Sequence, residues 1–187
     1  MRASSSSGAR TVKCHEDFLA VITAIHDALA DEVIVVNSQQ SRTEVAGELL
    51  AMKALRRELS GLVIDGLCRD TSTLASMRFP IYTRGASPAA GTVVRLGEIQ
   101  TPILCGGVLV EPGEIVFGVH DGIVICAQEE LSRLIPAAEK IQRTEVSVLA
   151  RGESLFFLIN YQDHLDQLRA GKESKLCFTP GRGDYAH

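Results

Sequence analysis

The sequence contains no tryptophan, and aromatic side chains make up only 5% of its 187 residues. It also lacks a basic excess, because 23 acidic residues outnumber 19 lysines and arginines and the formal net charge is −4 at pH 7. Nucleic-acid binding usually needs a basic face, so we expect no direct nucleic-acid partner. The apolar runs are much shorter than the roughly 20 residues of a membrane-spanning helix, so we expect no membrane partner.

Sequence motifs for the commonest cofactor sites are absent as well. The five histidines show neither HxH nor HExxH spacing, and no GxGxxG nucleotide loop occurs. The five cysteines lack CxxC spacing, and three of them lie in or beside apolar runs. Reduced, buried thiols are the simplest interpretation, which favours a cytoplasmic protein over one built on disulfides or zinc.

Helical and extended patterns alternate in the first part of the chain. Apolar residues recur at helical spacing over residues 16–30 and 44–59, and a short apolar run predicts a buried strand at residues 33–36. Successive strand–helix units predict a partly parallel sheet with helices packed on it.

Residues 61–88 have the pattern of a further βαβ unit. A buried apolar run at residues 62–64 is followed by Arg69 and Asp70, a brief helical pattern, and a second extended run at residues 81–83. Ligands of such units gather where strands end and helices begin, which is where Arg69 and Asp70 lie. The residue types leave two interpretations open. Asp70 can cap the helix that follows it, or Arg69 can bind a carboxylate while Asp70 binds a divalent cation.

The second part of the chain predicts a β-rich middle followed by helices. Residues 91–127 are rich in Gly, Val and Ile with frequent turn signals, which indicates strands and hairpins. Residues 128–142 and 155–170 return to helical spacing, and Gly171 is suited to cap the second helix.

The domain organisation predicted from these patterns is simple. We expect one mixed α/β domain over residues 11–171, a flexible N-terminus at residues 1–10 and a loose C-terminal tail at residues 172–187.

Three motifs occur in an order and spacing that resemble the RraA-like family: GLVIDGLCRD, FPIYTRGASP and GGVLVEPGEIVFGVHDGIVIC. That family includes 4-hydroxy-4-methyl-2-oxoglutarate/4-carboxy-4-hydroxy-2-oxoadipate aldolases and regulators of ribonuclease E activity. The resemblance implies a swivelling β/β/α sandwich, that is, an α/β fold with a mixed sheet, a β-rich middle and flanking helices.

The resemblance also implies catalytic roles for Arg69 and Asp70. In the aldolases the matching Asp holds a divalent metal, Mg²⁺ or Mn²⁺, partly through water, and the matching Arg binds the pyruvate moiety. These groups suit the reaction, because retro-aldol cleavage leaves an enolate of pyruvate whose negative oxygen a cation and a guanidinium can stabilise.

A substrate-binding segment is implied as well. Backbone amides at a helix N-terminus attract anions, and the family's matching segment cradles the substrate carboxylate. The residues at this place are Gly47, Glu48, Leu49 and Leu50. The family usually has a glycine-rich turn upstream, whereas this chain has Ser-Gln-Gln-Ser at residues 38–41, which makes close backbone approach harder.

Two further acidic residues are minor candidates. Asp121 precedes a glycine between two apolar runs, so its main role is expected to be a tight hairpin turn, as at the matching turn of the family. Glu145 has the features of a solvent-facing acid, but it aligns with a late glutamate that approaches a neighbouring subunit's site in the aldolases.

The resemblance predicts a metal-dependent lyase that acts on small 2-oxo acids and releases pyruvate. It would be a homotrimer or hexamer with its sites at subunit interfaces. The alternative is a protein-binding regulator of the ribonuclease E type. The Arg69–Asp70 pair favours the enzyme, because the regulators lack this Asp. The family's opening helix, which is not found ahead of residues 8–14, favours the regulator.

Overall fold

The computed structural model describes residues 8–151 and 159–177. The chain divides into two compact units, Met1–Leu131 and Ser132–His187. The single domain expected over residues 11–171 therefore crosses the border between the two units.

A mixed six-stranded sheet forms the centre of the first unit. Strands β1, β2, β4 and β5 are parallel neighbours in that order, β3 pairs in parallel with the end of β4, and β6 pairs antiparallel with β1. The strands are β1 (Ala9–Lys13), β2 (Val33–Asn37), β3 (Glu44–Ala46), β4 (Gly61–Cys68), β5 (Ile81–Ala86) and β6 (Glu98–Ile99). Since β1 begins at Ala9, strand structure extends into the segment 1–10 that was expected to be flexible.

Two β-hairpins follow the sheet in the chain. They are β7 (Ile103–Cys105) with β8 (Val108–Val110), and β9 (Ile115–Val119) with β10 (Gly122–Cys126). Gly106 and Gly107 form the two-residue turn of the first hairpin with positive φ angles of 61° and 84°, a conformation that favours glycine in such turns. The hairpins confirm the β-rich middle predicted from the turn signals.

The helices agree with the predicted pattern in order but not in all their limits. They are α1 (Leu19–Asp27), α2 (Glu48–Arg56), α3 (Thr71–Ser76), α4 (Gln128–Arg151) and α5 (Tyr161–Arg169). The prediction of helix over residues 44–59 was wrong at its start, because Glu44–Ala46 is strand β3. These three residues are buried and pair with β4, so tertiary pairing overrides their local helical pattern. Residues 155–158 of the last predicted helix lie outside the described residues.

Both faces of the sheet are covered. On one face Ile34 and Val36 of β2 pack in a cluster with residues of α1, α2 and α3. On the other face Val33 and Val35 pack with residues of the β7–β8 hairpin. A strand buried on both faces needs a continuous apolar run rather than alternation, which explains the sequence of β2. Helices on one face and hairpins on the other give the β/β/α sandwich that the family resemblance implied.

Helix α4, most of which belongs to the second unit, is longer than the helix predicted over residues 128–142 and accommodates Pro136 in its interior. Gly171 ends α5 with a φ of 69°, and its N–H donates to the Leu168 carbonyl, which confirms the predicted glycine cap. The Asn160 side chain accepts from Cys177 N–H at 2.7 Å and donates to the Lys175 carbonyl at 3.1 Å. Among the helices in the described ranges, none has the length and apolar character needed to traverse a bilayer.

A buried carboxylate that the sequence pattern did not reveal joins α1 to residues 92–95. Asp17 is 1% exposed. Its Oδ1 accepts from Leu19 N–H, and its Oδ2 accepts from the Thr92 hydroxyl, Val94 N–H and Arg95 N–H at distances of 2.6–3.1 Å. Burial raises the pKa of Asp17, but these hydrogen bonds outweigh burial and lower the pKa to about 2.

Replacing Asp17 with Asn is expected to lower the free energy of unfolding at pH 7 by about 2–4 kcal/mol, because the amide NH2 would face either Leu19 N–H or the N–H groups of Val94 and Arg95, all of which are donors. The wild-type contribution is present above the ordinary Asp pKa and is lost as the pH falls through about 2. Urea unfolding between pH 2 and pH 7 measures both effects. The exposed Asp27→Asn variant is the control, and equal stability of the two variants would contradict the prediction.

Candidate functional site

Arg69 and Asp70 follow β4 directly, and Asp70 is the N-cap residue of α3 with a left-handed φ of 58°. Its side chain makes no capping hydrogen bond to its own helix. Its Oδ2 accepts instead from Glu48 N–H, in the first turn of α2, at 3.0 Å. The interpretation of the Asp70 carboxylate as a cap for the following helix is therefore wrong, although the residue stands at the N-cap position.

The Arg69 guanidinium lies between two carboxyl groups. Its Nε is 3.5 Å from Asp70 Oδ2, and its Nη1 is 3.5 Å from Glu44 Oε1. The backbone of Arg69 is held by a hydrogen bond from its N–H to the Ala46 carbonyl at 3.1 Å. The side chains of Arg69 and Asp70 remain 41% and 38% exposed, so both are accessible from solvent.

Gly47 allows these side chains to reach α2. It is the N-cap residue of α2 in an extended conformation that any residue adopts. A Cβ at this position would lie 2.7 Å from Asp70 Oδ2 and 2.8 Å from Arg69 Cγ. Glycine is therefore required here because the two side chains approach so closely. The backbone angles alone would allow any residue.

The first turn of α2 offers free backbone donors beside this pair. Glu48 N–H is engaged by Asp70. Within the described ranges the N–H groups of Leu49 and Leu50 have no hydrogen-bond partner, as is usual for the first turn of a helix. Two amides and the helix dipole therefore remain available for an anion next to Arg69.

The turn that replaces the family's glycine-rich segment has glycine-like backbone angles. Gln39 and Gln40 have φ angles of 52° and 58°, which cost non-glycine residues about 1–2 kcal/mol each. Ser38 is fully buried, and its hydroxyl donates to the Asp65 carbonyl at 3.0 Å. The turn is thus formed without glycine and is anchored by the serine.

Glu44 is a site residue that sequence reasoning missed. Its side chain is only 4% exposed. Burial raises the pKa of Glu44, while the positive charge of Arg69 lowers it and Asp70 raises it. The sequence placed Glu44 at the start of a helix, where an acid is ordinary, so no local pattern indicated that it is buried.

The two minor candidates lie on elements other than those that carry Arg69 and Asp70. Asp121 is exposed in the two-residue turn between β9 and β10, in agreement with the expected tight hairpin. Glu145 is exposed on α4 in the second unit. Its role at a neighbouring subunit's site stays a prediction.

The metal-binding capacity of the site rests on Asp70. No group of three or more His, Cys, Asp or Glu side chains able to hold a metal occurs in the described ranges. Asp70 Oδ1 has no hydrogen-bond partner among those residues, and two carboxyl groups flank the single guanidinium. One free carboxylate oxygen fits a largely hydrated Mg²⁺ or Mn²⁺, which commonly binds through one or two carboxylates.

A cleft of about 960 Å³ lies elsewhere in the first unit, and neither Arg69 nor Asp70 lines it. Its walls include Asp65, which forms an ion pair with Arg84 and accepts from Gly106 N–H at 2.7 Å. The hydrogen bond from Arg84 lowers the pKa of Asp65. The cleft is also lined by Gln39, Gln40 and Ser41, so it adjoins the turn described above and not the Arg69–Asp70 pair.

The fold agrees with comparisons to known proteins. The sequence profile described as RraA-like, Aldolase/RraA, matches residues 2–125. The match covers most of the chain, so the protein belongs to the RraA-like family.

Two curated relatives and one solved structure illustrate the similarity. An uncharacterized protein of Methanocaldococcus jannaschii is 34% identical over 131 residues, which cover 68% of this chain and 63% of that protein. The "Putative 4-hydroxy-4-methyl-2-oxoglutarate aldolase" of Halalkalibacterium halodurans is 34% identical over 136 residues, covering 72% and 65% respectively. The chain thus spans slightly less than two thirds of each relative's length.

The solved structure is that of the RNA-processing inhibitor RraA from Thermus thermophilis. It matches with a TM-score of 0.61 and 27% identity, covering 66% of this chain and 77% of that chain. Relatives named for an enzyme and for an inhibitor therefore share this architecture.

Replacing Gly47 with Ala is expected to push the Asp70 carboxylate away from α2 and to destabilise the protein by about 1–3 kcal/mol through overpacking. Hydrogen exchange of the Glu48 amide should become faster, because that amide loses its acceptor. Gly85→Ala is the matched control, since its new Cβ would meet only Leu67 Cδ2 at 3.4 Å. Equal exchange rates at Glu48 in both variants would contradict the assigned geometry.

Proposed function

We propose that this protein is a divalent-metal-dependent lyase acting on small 2-oxo acids. The reaction would be of the 4-hydroxy-4-methyl-2-oxoglutarate aldolase or oxaloacetate decarboxylase type, with release of pyruvate. The observation that carries the proposal is the convergence of Arg69 and Asp70 on the open N-terminus of α2. The name of the Halalkalibacterium halodurans relative supports the same reaction class.

Substrate binding would use the chain's own donors. The carboxylate of the 2-oxo acid would accept from the free N–H groups of Leu49 and Leu50, and the Arg69 guanidinium would face its oxygens. The Arg69 guanidinium would stabilise negative charge and would not supply the proton that converts enolate to pyruvate. That proton would come from a water molecule in the half-exposed site.

Asp70 would hold the cation, Mg²⁺ or Mn²⁺, with water completing its coordination. When bound, such a cation supplies Lewis-acid stabilisation for the oxygen that becomes negative during carbon–carbon cleavage. The excess of carboxyl groups over guanidinium groups around Arg69 supports the binding of positive charge. Gly47 would keep the cation-binding carboxylate next to the carboxylate-binding amides.

The proposed reaction is tested by assaying pyruvate release from oxaloacetate and from 4-hydroxy-4-methyl-2-oxoglutarate. Metal-dependent turnover should disappear with a chelator and should fall at least about 100-fold in Asp70→Asn and in Arg69→Lys. Asp70→Asn removes the negative charge that would hold the cation, and Arg69→Lys removes the planar fork of the guanidinium. Asp27→Asn, an exposed change on α1, should match wild type. Turnover unaffected by the chelator or by Asp70→Asn would refute the proposed role of the metal.

We also propose a homotrimer or hexamer with its sites at subunit interfaces. This proposal is supported by exposed apolar residues on the two hairpins. About half of the surface of each is accessible to solvent: Leu104, Val108, Leu109, Phe117 and Val124. Such a surface is typical of an interaction site. Light scattering after gel filtration should give three or six times the mass of 20.2 kDa, and Leu109→Glu should lower that mass. A monomer at micromolar concentration would exclude the assembly.

A second candidate function is binding to a ribonuclease of the E type as a regulator. The similarity to the RNA-processing inhibitor RraA supports it. Purified ribonuclease E with a labelled RNA substrate separates the two functions. Inhibition of cleavage without pyruvate release favours the regulator, and pyruvate release without inhibition favours the lyase.

A further inference from the structure

The Glu44 backbone is fixed by hydrogen bonds, and its side chain lies beside Arg69. Its backbone N–H donates to the Ala89 carbonyl at 2.8 Å, and its carbonyl accepts from Gly91 N–H at 3.2 Å. Its residue also pairs with Leu67 of β4. The carboxyl group therefore extends from a fixed backbone, and burial to 4% exposure restricts its movement.

Stability does not account for an acid at this position. The Glu44 carboxyl contacts the Arg69 guanidinium at 3.5 Å and makes no other hydrogen bond or ion pair among the described residues. A buried carboxylate with one long contact recovers little of its lost hydration. The raised pKa of Glu44 reflects this loss. The Glu44 carboxylate therefore opposes folding near neutral pH. The reason for an acid at this position is its effect on the neighbouring Arg69 side chain.

What Glu44 does is orient a long side chain. Arg69 faces Asp70 through Nε and Glu44 through Nη1, and contacts at two different nitrogens limit the rotation of the guanidinium. Without the second contact, a side chain that is 41% exposed could rotate about its last bonds. Nη2 has no partner in the described part of the chain and remains available for a ligand.

We propose that Glu44 is a positioning residue for Arg69, holding the guanidinium so that its unengaged donors meet a ligand carboxylate at the N-terminus of α2. Glu44 itself does not contact the substrate. This inference rests on the proposed function, since it assigns to Arg69 the binding of a 2-oxo acid. The orientation of Arg69 can nevertheless be measured without any turnover.

The kinetic test compares Glu44→Gln and Glu44→Ala with wild type. The KM for oxaloacetate should rise about tenfold in Glu44→Ala and less in Glu44→Gln, whose amide oxygen can still face Arg69, while kcat changes less than about threefold. The melting temperature of Glu44→Gln should not fall, because the neutral amide removes a buried charge. A purely structural role for Glu44 predicts the reverse: lower stability with an unchanged KM.

The matched control is Glu32→Gln. Glu32 forms a half-buried ion pair with Arg10 at 2.8 Å, so its replacement removes a similar pair away from Arg69. This variant should leave KM unchanged. An equal rise of KM in Glu32→Gln and Glu44→Gln would overturn the assignment, because the effect would then follow from any lost glutamate–arginine pair.

A second measurement follows the Arg69 Nε–H signal by ¹⁵N NMR, assigned with Arg69→Lys. Wild type should show a sharp, slowly exchanging signal, and Glu44→Ala should shift it and speed its exchange. If wild type releases no pyruvate but this difference is seen, the proposed function fails and the positioning role stands. A rapidly exchanging Arg69 signal in wild type, or an unchanged signal together with an unchanged KM in the variants, overturns the positioning role.

Discussion

The candidate site depends on one hydrogen bond, from Glu48 N–H to the Asp70 carboxylate. It joins the segment that follows β4 to the first turn of α2, although the two residues are 22 positions apart in the chain. Bonds of this kind, between an ionised carboxylate and a helix N-terminal amide, are about twice as strong as neutral ones. Without this contact, the carboxylate would have no reason to turn from its own helix toward α2, and Arg69 would lose one of its two partners.

The sheet explains why those two segments meet. β3 and β4 are parallel neighbours, so the residues that follow them emerge at the same edge. The hydrogen bond from Arg69 N–H to the Ala46 carbonyl extends this pairing beyond the strands. Gly47 then keeps the narrow space between them free. A site formed from two chain segments is thereby supported by the central sheet.

Charge is distributed unevenly around the site. Glu44 is buried and Asp70 is half-exposed, yet both face the same guanidinium. The buried acid is costly to ionise, whereas the exposed acid can exchange solvent for a cation. Both side chains carry a carboxyl group, but they differ in exposure. The buried Glu44 is suited to orienting Arg69, and the half-exposed Asp70 is suited to binding a ligand.

Much of the fold could be predicted from local patterns. The continuous apolar run of β2 is what a strand covered on both faces requires, and the Gly106–Gly107 pair marks a turn whose positive φ angles favour glycine. Glu44–Ala46 could not be assigned correctly, because its strand conformation comes from pairing with β4 and not from its own residues. α4 continues beyond the predicted end at residue 142 as far as Arg151.

For the site, the sequence by itself determined which groups are present: an adjacent arginine and aspartate after a buried strand, and a glycine before a helix. It could not determine the direction of the Asp70 carboxylate, because a cap for α3 and an acceptor for α2 need the same residue at the same position. Only the tertiary structure decided between them, and only it placed Glu44 beside Arg69. Side-chain direction and burial depend on neighbours that are distant in the chain, and no local pattern contains that information.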